Sequence, residues 1–475
     1  MFKDFCIVNT YHPAWDKVYG DPAEPSTAIV FGEKGAGKTA MRLQIARHLS
    51  LYNRTHPRQR LFVVHYDDFN PFLDRFRDHM PGRRRPDRVL AHWKLWDHMD
   101  AILALGVTAL VDELLQARRT SSLIDIDIDG TAIERLDRNQ QRDLLLLAGC
   151  YDQSLAESHK ERWKRLRRRL RFPTWKAHWH LATGVLSNVL VFALAIAVVS
   201  AGHATWLSSL WYVWLAALVG GWLPWLAKIV KRTWLAFRVR RSLRVGNHAR
   251  AALRATLMEF SSAQLASQPL PRGDSTDARY EMLLKLQGVL ESFSYRGIIV
   301  LVDRLDEPHL INGSAERMRA FLWPLLDNKL LTHPGLGLKL MLPIELTRFI
   351  DREDRDFFQR ARLDKQNMVR SFQWSGEALH DVANARIAAC SVEGAEPTLR
   401  DLFDPSVSDR RLMEVMRTLR VPRHLFKFMY RVLVDHCSAH TDQTPAWAIS
   451  EKTLESTLAV YRREQDAADR DVGLG

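Results

Sequence analysis

Three stretches of the 475-residue chain predict an α/β protein with a parallel sheet core, an inserted helical stalk carrying a two-helix transmembrane hairpin, and an all-helical C-terminal lid. The first stretch is Gly32-Glu33-Lys34-Gly35-Ala36-Gly37-Lys38-Thr39, directly after the apolar run Ala28-Ile29-Val30-Phe31. The second is a run of 51 residues, Ala177 to Ala227, that contains no Asp, Glu, Lys or Arg. The third is the apolar run Gly297 to Val302, which ends in Asp303-Arg304-Leu305-Asp306-Glu307-Pro308.

Residues 32–39 spell G-x-x-x-x-G-K-[ST], and a strand-like run precedes them while a helix-forming stretch, Ala40 to Leu49, follows. Phosphate oxygens need several donors converging on a small volume, and a glycine-rich turn offers backbone N–H groups that side chains would otherwise cover. The pattern predicts a nucleotide-binding P-loop made by Gly32, Glu33, Lys34, Gly35, Ala36, Gly37, Lys38, Thr39 and Ala40. Lys38 would reach the terminal phosphates and Thr39 would bind Mg²⁺. No Asn/Thr-Lys-x-Asp guanine-reading motif is evident, which favours ATP over GTP as the nucleotide.

The uncharged run is too long for one membrane span and suits two, since a bilayer core of about 30 Å takes roughly 20 helical residues. The spans are expected at about Trp179–Val199 and Trp206–Ala227, with Ser200 to Thr205 as the turn. Of the 15 Trp in the chain, eight lie within or beside this run, as in an aromatic belt. Gly220, Gly221 and Pro224 are expected to kink the second helix near its end. Arg162 to Lys176 carries eight Lys and Arg with no acid, and Lys228 to Arg244 carries seven more with none. By the positive-inside rule both ends of the hairpin face the cytoplasm, where ATP is.

Those 15 charges, removed from the formal net charge of +13, leave −2 for the rest of the chain. The basicity therefore belongs to the membrane-flanking segments, which would attract anionic lipids at roughly 1 kcal/mol per basic residue. Nucleic acid becomes an unlikely partner; if bound, it would use the same basic helices or Arg83-Arg84-Arg85. Four cysteines (Cys6, Cys150, Cys390, Cys437) without C-x-x-C spacing suggest neither a disulfide framework nor a zinc site. The N-terminal residues lack an apolar core of signal-peptide length, so the hairpin itself is expected to direct insertion.

Leu61 to Tyr66 reads as a second buried strand closed by Asp67-Asp68-Phe69-Asn70-Pro71. Apolar residues recur at helical spacing from about Arg88 to Arg118 and from Ala132 to Arg171. The later run is expected to continue directly into the first span, with Val230 to about Ser262 carrying the chain back as the second arm of a stalk. Asp125-Ile-Asp127-Ile-Asp129-Gly130 begins like a calcium-binding loop, but its twelfth position is Leu136 rather than the bidentate Glu such a loop needs. Thr131-Ala-Ile-Glu134 reads instead as a capping box.

Gly297 to Val302 is the short continuous apolar run of a central parallel strand. A carboxylate at its carboxyl end is placed to hold Mg²⁺ opposite Thr39, so Asp303 is the second metal residue. Asp306 or Glu307 would polarise the attacking water. Lys339 to Leu346 reads as another core strand beside this one, with Glu345 or Thr347 at its tip as a weaker candidate γ-phosphate sensor. The Arg352, Arg355, Arg360 and Arg362 cluster reads as a solvated charged face, with a trans-acting finger as the alternative.

The order of P-loop, inserted hydrophobic hairpin, acidic hhhhDxxDE-type strand end and helical C-terminal region resembles the KAP-type P-loop NTPases of bacteria, within the STAND and AAA-like ATPases. The likeness covers about two-thirds of the chain. It implies an additional-strand P-loop fold, an ATP-driven conformational switch, a place in the bacterial inner membrane, and association with signalling or anti-phage defence. Gly32, Gly37, Lys38 and Thr39 match Walker A, and Asp303 matches Walker B. The family usually carries a second acid directly after that Asp, where this chain has Arg304. Leu419-Arg420-Val421-Pro422-Arg423 looks like the start of a sensor-two helix, making Arg423 the candidate that reaches the γ-phosphate from the lid.

The expected domains are 1–130 (first half of the P-loop domain), 131–176 (helical arm), 177–227 (transmembrane hairpin), 228–295 (returning arm), 296–370 (second half, with Walker B) and 371–475 (lid). The leading expectation is a multi-pass membrane ATPase with both termini and the catalytic domain in the cytoplasm, working with a protein partner or as a homo-oligomer. A nucleotide-gated scaffold with little hydrolysis is the alternative that Arg304 motivates. An AAA-like ATPase acting on nucleic acid is the third. A transporter is disfavoured because the hairpin lacks charged residues.

Overall fold

The computed structural model describes residues 10–473 apart from 81, 83, 84, 117–127, 129, 155–156, 203–208, 327–328, 364–365, 393–394, 396 and 441–444. Cys6, Arg83, Arg84, the acidic positions 125, 127 and 129, Trp206 and residues 203–205 of the expected hairpin turn lie outside these residues.

Five strands form one parallel sheet: β1 (Ala28–Gly32), β2 (Arg60–Tyr66), β3 (Tyr295–Val302), β4 (Leu336–Pro343) and β5 (Asn367–Val369), in the order β2-β3-β4-β1-β5. Every residue of β1 and β4 is buried, as strands covered on both faces require. Ala28 lies opposite Lys339 and Gly32 opposite Pro343, so β1 and β4 end together. β4 also neighbours β3, as its apolar sequence led one to expect. Parallel strands deliver their carboxyl ends to one edge, and this brings the residues after Gly32, Val302 and Pro343 to a common place.

The chain divides into two compact units. One takes the residues up to His56, His65–Asp68, and those from Ile299 onward; the other takes Pro57–Val64 and Phe69–Ile298. The unit that holds the uncharged run thus takes in residues from Pro57 onward, apart from His65–Asp68, well before residue 131. In the first unit, the helices Gly376–Cys390, Asp409–Leu419, Pro422–Ala439 and Glu451–Gly473 close over an apolar core that includes Leu379, Met416, Phe428 and Leu454. Ser375 and Ser408 cap two of these helices by accepting the N–H of Ala378 and Arg411.

The second unit departs from the expected stalk. Between residues 130 and 177 the chain forms the separate helices Arg138–Tyr151 and His159–Arg169 with short 3₁₀ turns at either end, rather than one arm running into a span. The cause is visible in Arg162. It is almost fully buried and bridges Asp152 (Nε to Oδ2, 2.9 Å) and Asp112 (2.8 Å), which folds the helix back on its neighbours. Trp163 adds a hydrogen bond to the Leu145 carbonyl at 2.8 Å. The capping box is not at Thr131–Glu134, where a 3₁₀ turn runs Gly130–Arg135. It is formed by Asp137 and Gln140, which satisfy each other's backbone N–H at the start of Arg138–Tyr151.

Among the described residues one helix is long and apolar enough to cross a membrane by length and composition, Trp179–Ser200, and its Leu186, Leu190, Phe192 and Ile196 side chains are exposed. Among the described residues of 206–227 there is no single second helix. Trp211–Gly220 and Leu223–Ser242 meet at a 45° bend and satisfy the same test only as a broken pair. Pro224 sits in the first turn of the later helix, where its missing N–H costs nothing, and that helix runs on through the basic residues. Gly184 leaves room for the Trp222 ring; a Cβ there would lie 3.0 Å from it.

Candidate functional site

Gly35 and Gly37 both hold φ of 96°, a left-handed conformation that L side chains rarely adopt, and this is what turns the chain between β1 and the helix Lys38–Thr55. The first-turn N–H groups of that helix have no intrahelical partner and point out of its start. A cleft of about 700 Å³ opens there, lined by Lys34, Gly35, Gly37, Lys38 and Thr39 from the loop. Gly32, Glu33, Ala36 and Ala40 do not line it. The carbonyls of Gly32 and Glu33 instead accept the Lys38 ammonium, at 2.6 and 2.9 Å.

Asp303, at the end of β3, is 2% exposed and accepts the Thr39 hydroxyl at 2.8 Å. Residues 264 positions apart are thereby joined at one point. Burial pushes the Asp303 carboxyl up, while the Thr39 hydroxyl and the Arg42 guanidinium pull it back. Arg42 Nε lies 3.3 Å from Asp303 Oδ2, and its NH1 bonds Asp67 at the end of β2. Burial likewise pulls the Lys38 ammonium down, against the opposing charges of Asp306, Asp303 and Glu345, with Arg423 adding to the fall.

Asp306, Glu307, Glu345 and Arg423 all line the same cleft, whereas Thr347 does not. Arg304 adopts φ of 59° and lies 3.8 Å from Glu307. Arg423 is the second residue of the helix Pro422–Ala439, and its N–H donates to the Gly35 carbonyl at 3.3 Å. Its side chain lies against Gly35, where a Cβ would come within 2.4 Å of the Arg423 Cβ. Arg352, Arg355, Arg360 and Arg362 are exposed and none lines the cleft.

Three contributors carry no signal that singles them out in the sequence. Arg42 falls three residues after Thr39, on the same helix face. Asp67 ends β2 as Asp303 ends β3. Trp374 covers the other side of the loop, donating Nε1–H to the Ala36 carbonyl at 2.7 Å with its ring 3.4 Å from where a Gly37 Cβ would be. Phe372 and Trp374 are held in turn by His12, which stacks on the Phe372 ring at 3.7 Å and meets Trp374 edge-on.

His12 donates from Nε2 to the Gln373 carbonyl at 2.8 Å and accepts the Ala14 N–H on Nδ1 at 2.9 Å, a pattern only the neutral ring can make. Burial holds its pKa at about 4. The folded value lies below the unfolded 6.5, so the opened chain binds more protons between the two. The aromatic cover is therefore stable above about pH 6.5 and weakens as pH falls toward 4. Hydrogen exchange across residues 372–374 is expected to accelerate over that window in the wild type and to lose most of its pH response in His12→Phe.

The arrangement suits a polyphosphate and one divalent cation. It offers a ring of helix-start N–H groups, an ammonium, and a hydroxyl–carboxylate pair. Among the described residues no group of three or more His, Cys, Asp or Glu is placed to hold a metal. A single carboxylate with a hydroxyl is instead the donor set of Mg²⁺, which takes one or two carboxylates with water and phosphate. Comparison of the chain with protein-family models, with curated proteins and with solved structures finds no match.

Proposed function

We propose that the chain is a membrane-anchored P-loop ATPase whose nucleotide cycle works a helical lid, of the KAP type that its sequence resembles. The observation that carries this reading is the 2.8 Å contact between Thr39 and Asp303 at the mouth of a cleft that Lys38 also lines. The sheet order supports it, since β4 lies between β1 and β3 as the additional strand of such a fold would. In this reading the N–H groups of residues 35–39 and the Lys38 ammonium hold the ATP phosphates, and Thr39 and Asp303 hold Mg²⁺. The ion would neutralise charge on the β and γ phosphates.

Asp306 is the stronger candidate for polarising water. Its charge acts most on Lys38 among the three acids, whereas Glu307 is drawn toward Arg304. Asp306 would accept the water's proton as the water oxygen bonds the γ-phosphorus and the bond to the bridging oxygen breaks. Arg423, bonded to Gly35 through its backbone, would pass the loss of γ-phosphate to the helical lid.

The membrane part of the proposal keeps two spans with both termini on the cytoplasmic side. Its support is the exposed apolar surface of Trp179–Ser200 and the bent pair that follows. Lys228 closes the run by bonding the Ala177 and Met258 carbonyls. Attraction to anionic lipid would come from the exposed Arg168, Arg171, Lys176, Lys231, Arg238, Arg240 and Arg241 rather than all 15 flanking charges, because Arg162, Arg165, Arg167 and Arg244 are already paired with acids.

The nucleotide-gated scaffold stays as a second reading on one observation: Arg304 stands where a second acid would, in a left-handed backbone conformation. The test is ATP binding and phosphate release by nanodisc-purified protein, wild type against Lys38→Ala. Release by the wild type alone supports the ATPase. Binding without release, lost in Lys38→Ala, supports the scaffold. A wild type that binds no nucleotide rejects both.

A further inference from the structure

A second cavity, of about 590 Å³, opens wholly within the inserted unit. Arg238, Arg241, Arg244 and Arg272 line it, with Asp274 as the one carboxylate in its wall and His79 at its edge. Like charges brought together around a concavity repel, and the field is concentrated by the low-dielectric walls. Arg244 is neutralised by buried Asp97, its Nε to Oδ1 distance being 2.9 Å. Among the described residues no carboxylate lies within ion-pair distance of Arg238, Arg241 or Arg272.

The walls are fixed. The Arg244 guanidinium sits over the rings of Phe76 and Trp96, at 4.8 and 5.6 Å. Ser242 Oγ donates to the Gly273 carbonyl at 2.9 Å, joining the helix that carries Arg238 and Arg241 to the loop that carries Arg272. Beneath them, buried Arg279 bonds the Ser242 hydroxyl at 2.8 Å and the Ser275 carbonyl at 3.0 Å while paired with Asp100. Arg238, Arg241 and Arg272 are exposed along this concavity, and guanidinium groups gathered there can meet phosphate through charge-assisted bonds.

We propose that this cavity binds a phosphate-bearing small molecule, with the phosphate held by Arg238, Arg241 and Arg272. Two sources share that chemistry, a water-soluble phosphate ester and the headgroup of an anionic phospholipid. Arg238 lies 11 residues past Ala227 on the helix Leu223–Ser242, roughly 16 Å along its axis. A headgroup layer is roughly 5–8 Å deep, so an upright helix favours the soluble ester and a strongly tilted one admits the lipid. The proposal stands apart from the nucleotide reading, which concerns the other unit.

The test uses the full chain in nanodiscs, wild type against Arg241→Glu/Arg272→Glu. Inositol hexakisphosphate binding is measured by calorimetry in phosphatidylcholine discs with excess ATP, and phosphatidylglycerol retention by native mass spectrometry from mixed-lipid discs. The expected result is hexakisphosphate affinity at least about 30-fold weaker in the variant, the loss of two basic residues' attraction alone, with the two introduced carboxylates adding repulsion. Retention of phosphatidylglycerol by the wild type and its loss in the variant, without hexakisphosphate binding, supports the cavity with a lipid source. Equal binding of both probes by the two proteins, or binding of neither by the wild type, overturns the proposal. Arg241→Lys/Arg272→Lys keeps the charge at these exposed positions. It is expected to lose part of the binding, less than the Glu variant, because it keeps the charge without the guanidinium fork, and a loss there equal to that of the Glu variant would also overturn it.

Discussion

Replacing Asp303 by asparagine is expected to lower ATP turnover by about 10²–10³-fold, the usual effect of removing one group aimed at developing charge. Asparagine keeps the volume of the buried side chain and an oxygen for the Thr39 hydroxyl, so the 2.8 Å contact that joins β3 to the loop survives. What it removes is the negative charge. Arg42 keeps Asp67 as a partner, so the substitution leaves no isolated buried cation. Burial already pushes the Asp303 carboxyl upward against the help of Thr39 and Arg42, and losing that charge should make folding no harder. The loss should therefore appear in turnover and in Mg²⁺ dependence, with little change in melting temperature. Phosphate release measured across a Mg²⁺ titration, beside thermal unfolding of both proteins, checks this. Turnover within about threefold of the wild type, in a protein that hydrolyses ATP, would remove Asp303 from the site.

The parts of this cleft that could be read from sequence are those that local chemistry dictates. A loop that must turn left-handed twice needs glycine at 35 and 37, and an all-buried parallel strand needs a continuous apolar run before Gly32 and before Asp303. Such requirements leave marks on consecutive residues. The choice between Asp306 and Glu307 leaves none, because it depends on how Arg304 turns at φ 59° and draws Glu307 aside. Trp374 was equally hidden, since an aromatic residue after a three-residue edge strand could pack anywhere until β5 is set beside β1.

The insertion was legible by composition and misread by geometry. A 51-residue run without charge marks an apolar segment, and within it Trp179–Ser200 is a helix whose apolar side chains are exposed. Helical periodicity on both sides suggested long arms, yet periodicity cannot see that Arg162 finds Asp112 and Asp152 or that Arg244 finds Asp97. Those pairs turn what looked like solvated basic arms into a packed unit. They also explain why counting all 15 flanking charges overstated the free basic surface beside the uncharged run. The kink expected from Gly220, Gly221 and Pro224 is present as the 45° bend between Trp211–Gly220 and Leu223–Ser242, with Pro224 in the first turn of the later helix.

The largest stability effect in the inserted unit should come from its buried ion pair. Asp100 and Arg279 are both fully buried and meet at 3.0 Å, and Tyr151 donates its hydroxyl to Asp100 at 2.9 Å. Arg279→Met leaves that carboxylate with the tyrosine alone, and breaking a buried pair in this way costs about 3–5 kcal/mol. The sign with pH follows from Asp100. Burial already raises its pKa above the model-peptide value near 3.9, and removal of the guanidinium raises it further. The folded variant then binds a proton that the unfolded chain has released, so its stability falls as pH rises out of the ordinary carboxylate range. The deficit against wild type should be smaller at pH 5 than at pH 8. Adding Asp100→Asn removes the buried charge and should recover a large part of the loss at pH 8 while flattening the pH response. Hydrogen exchange in the helices Leu95–Leu114 and Asp277–Ser292 reads the unit directly, with ATP affinity as a control on the other unit. A deficit below about 1 kcal/mol in Arg279→Met at pH 8, or a double variant worse than the single one, would show that the pair does not hold these helices together.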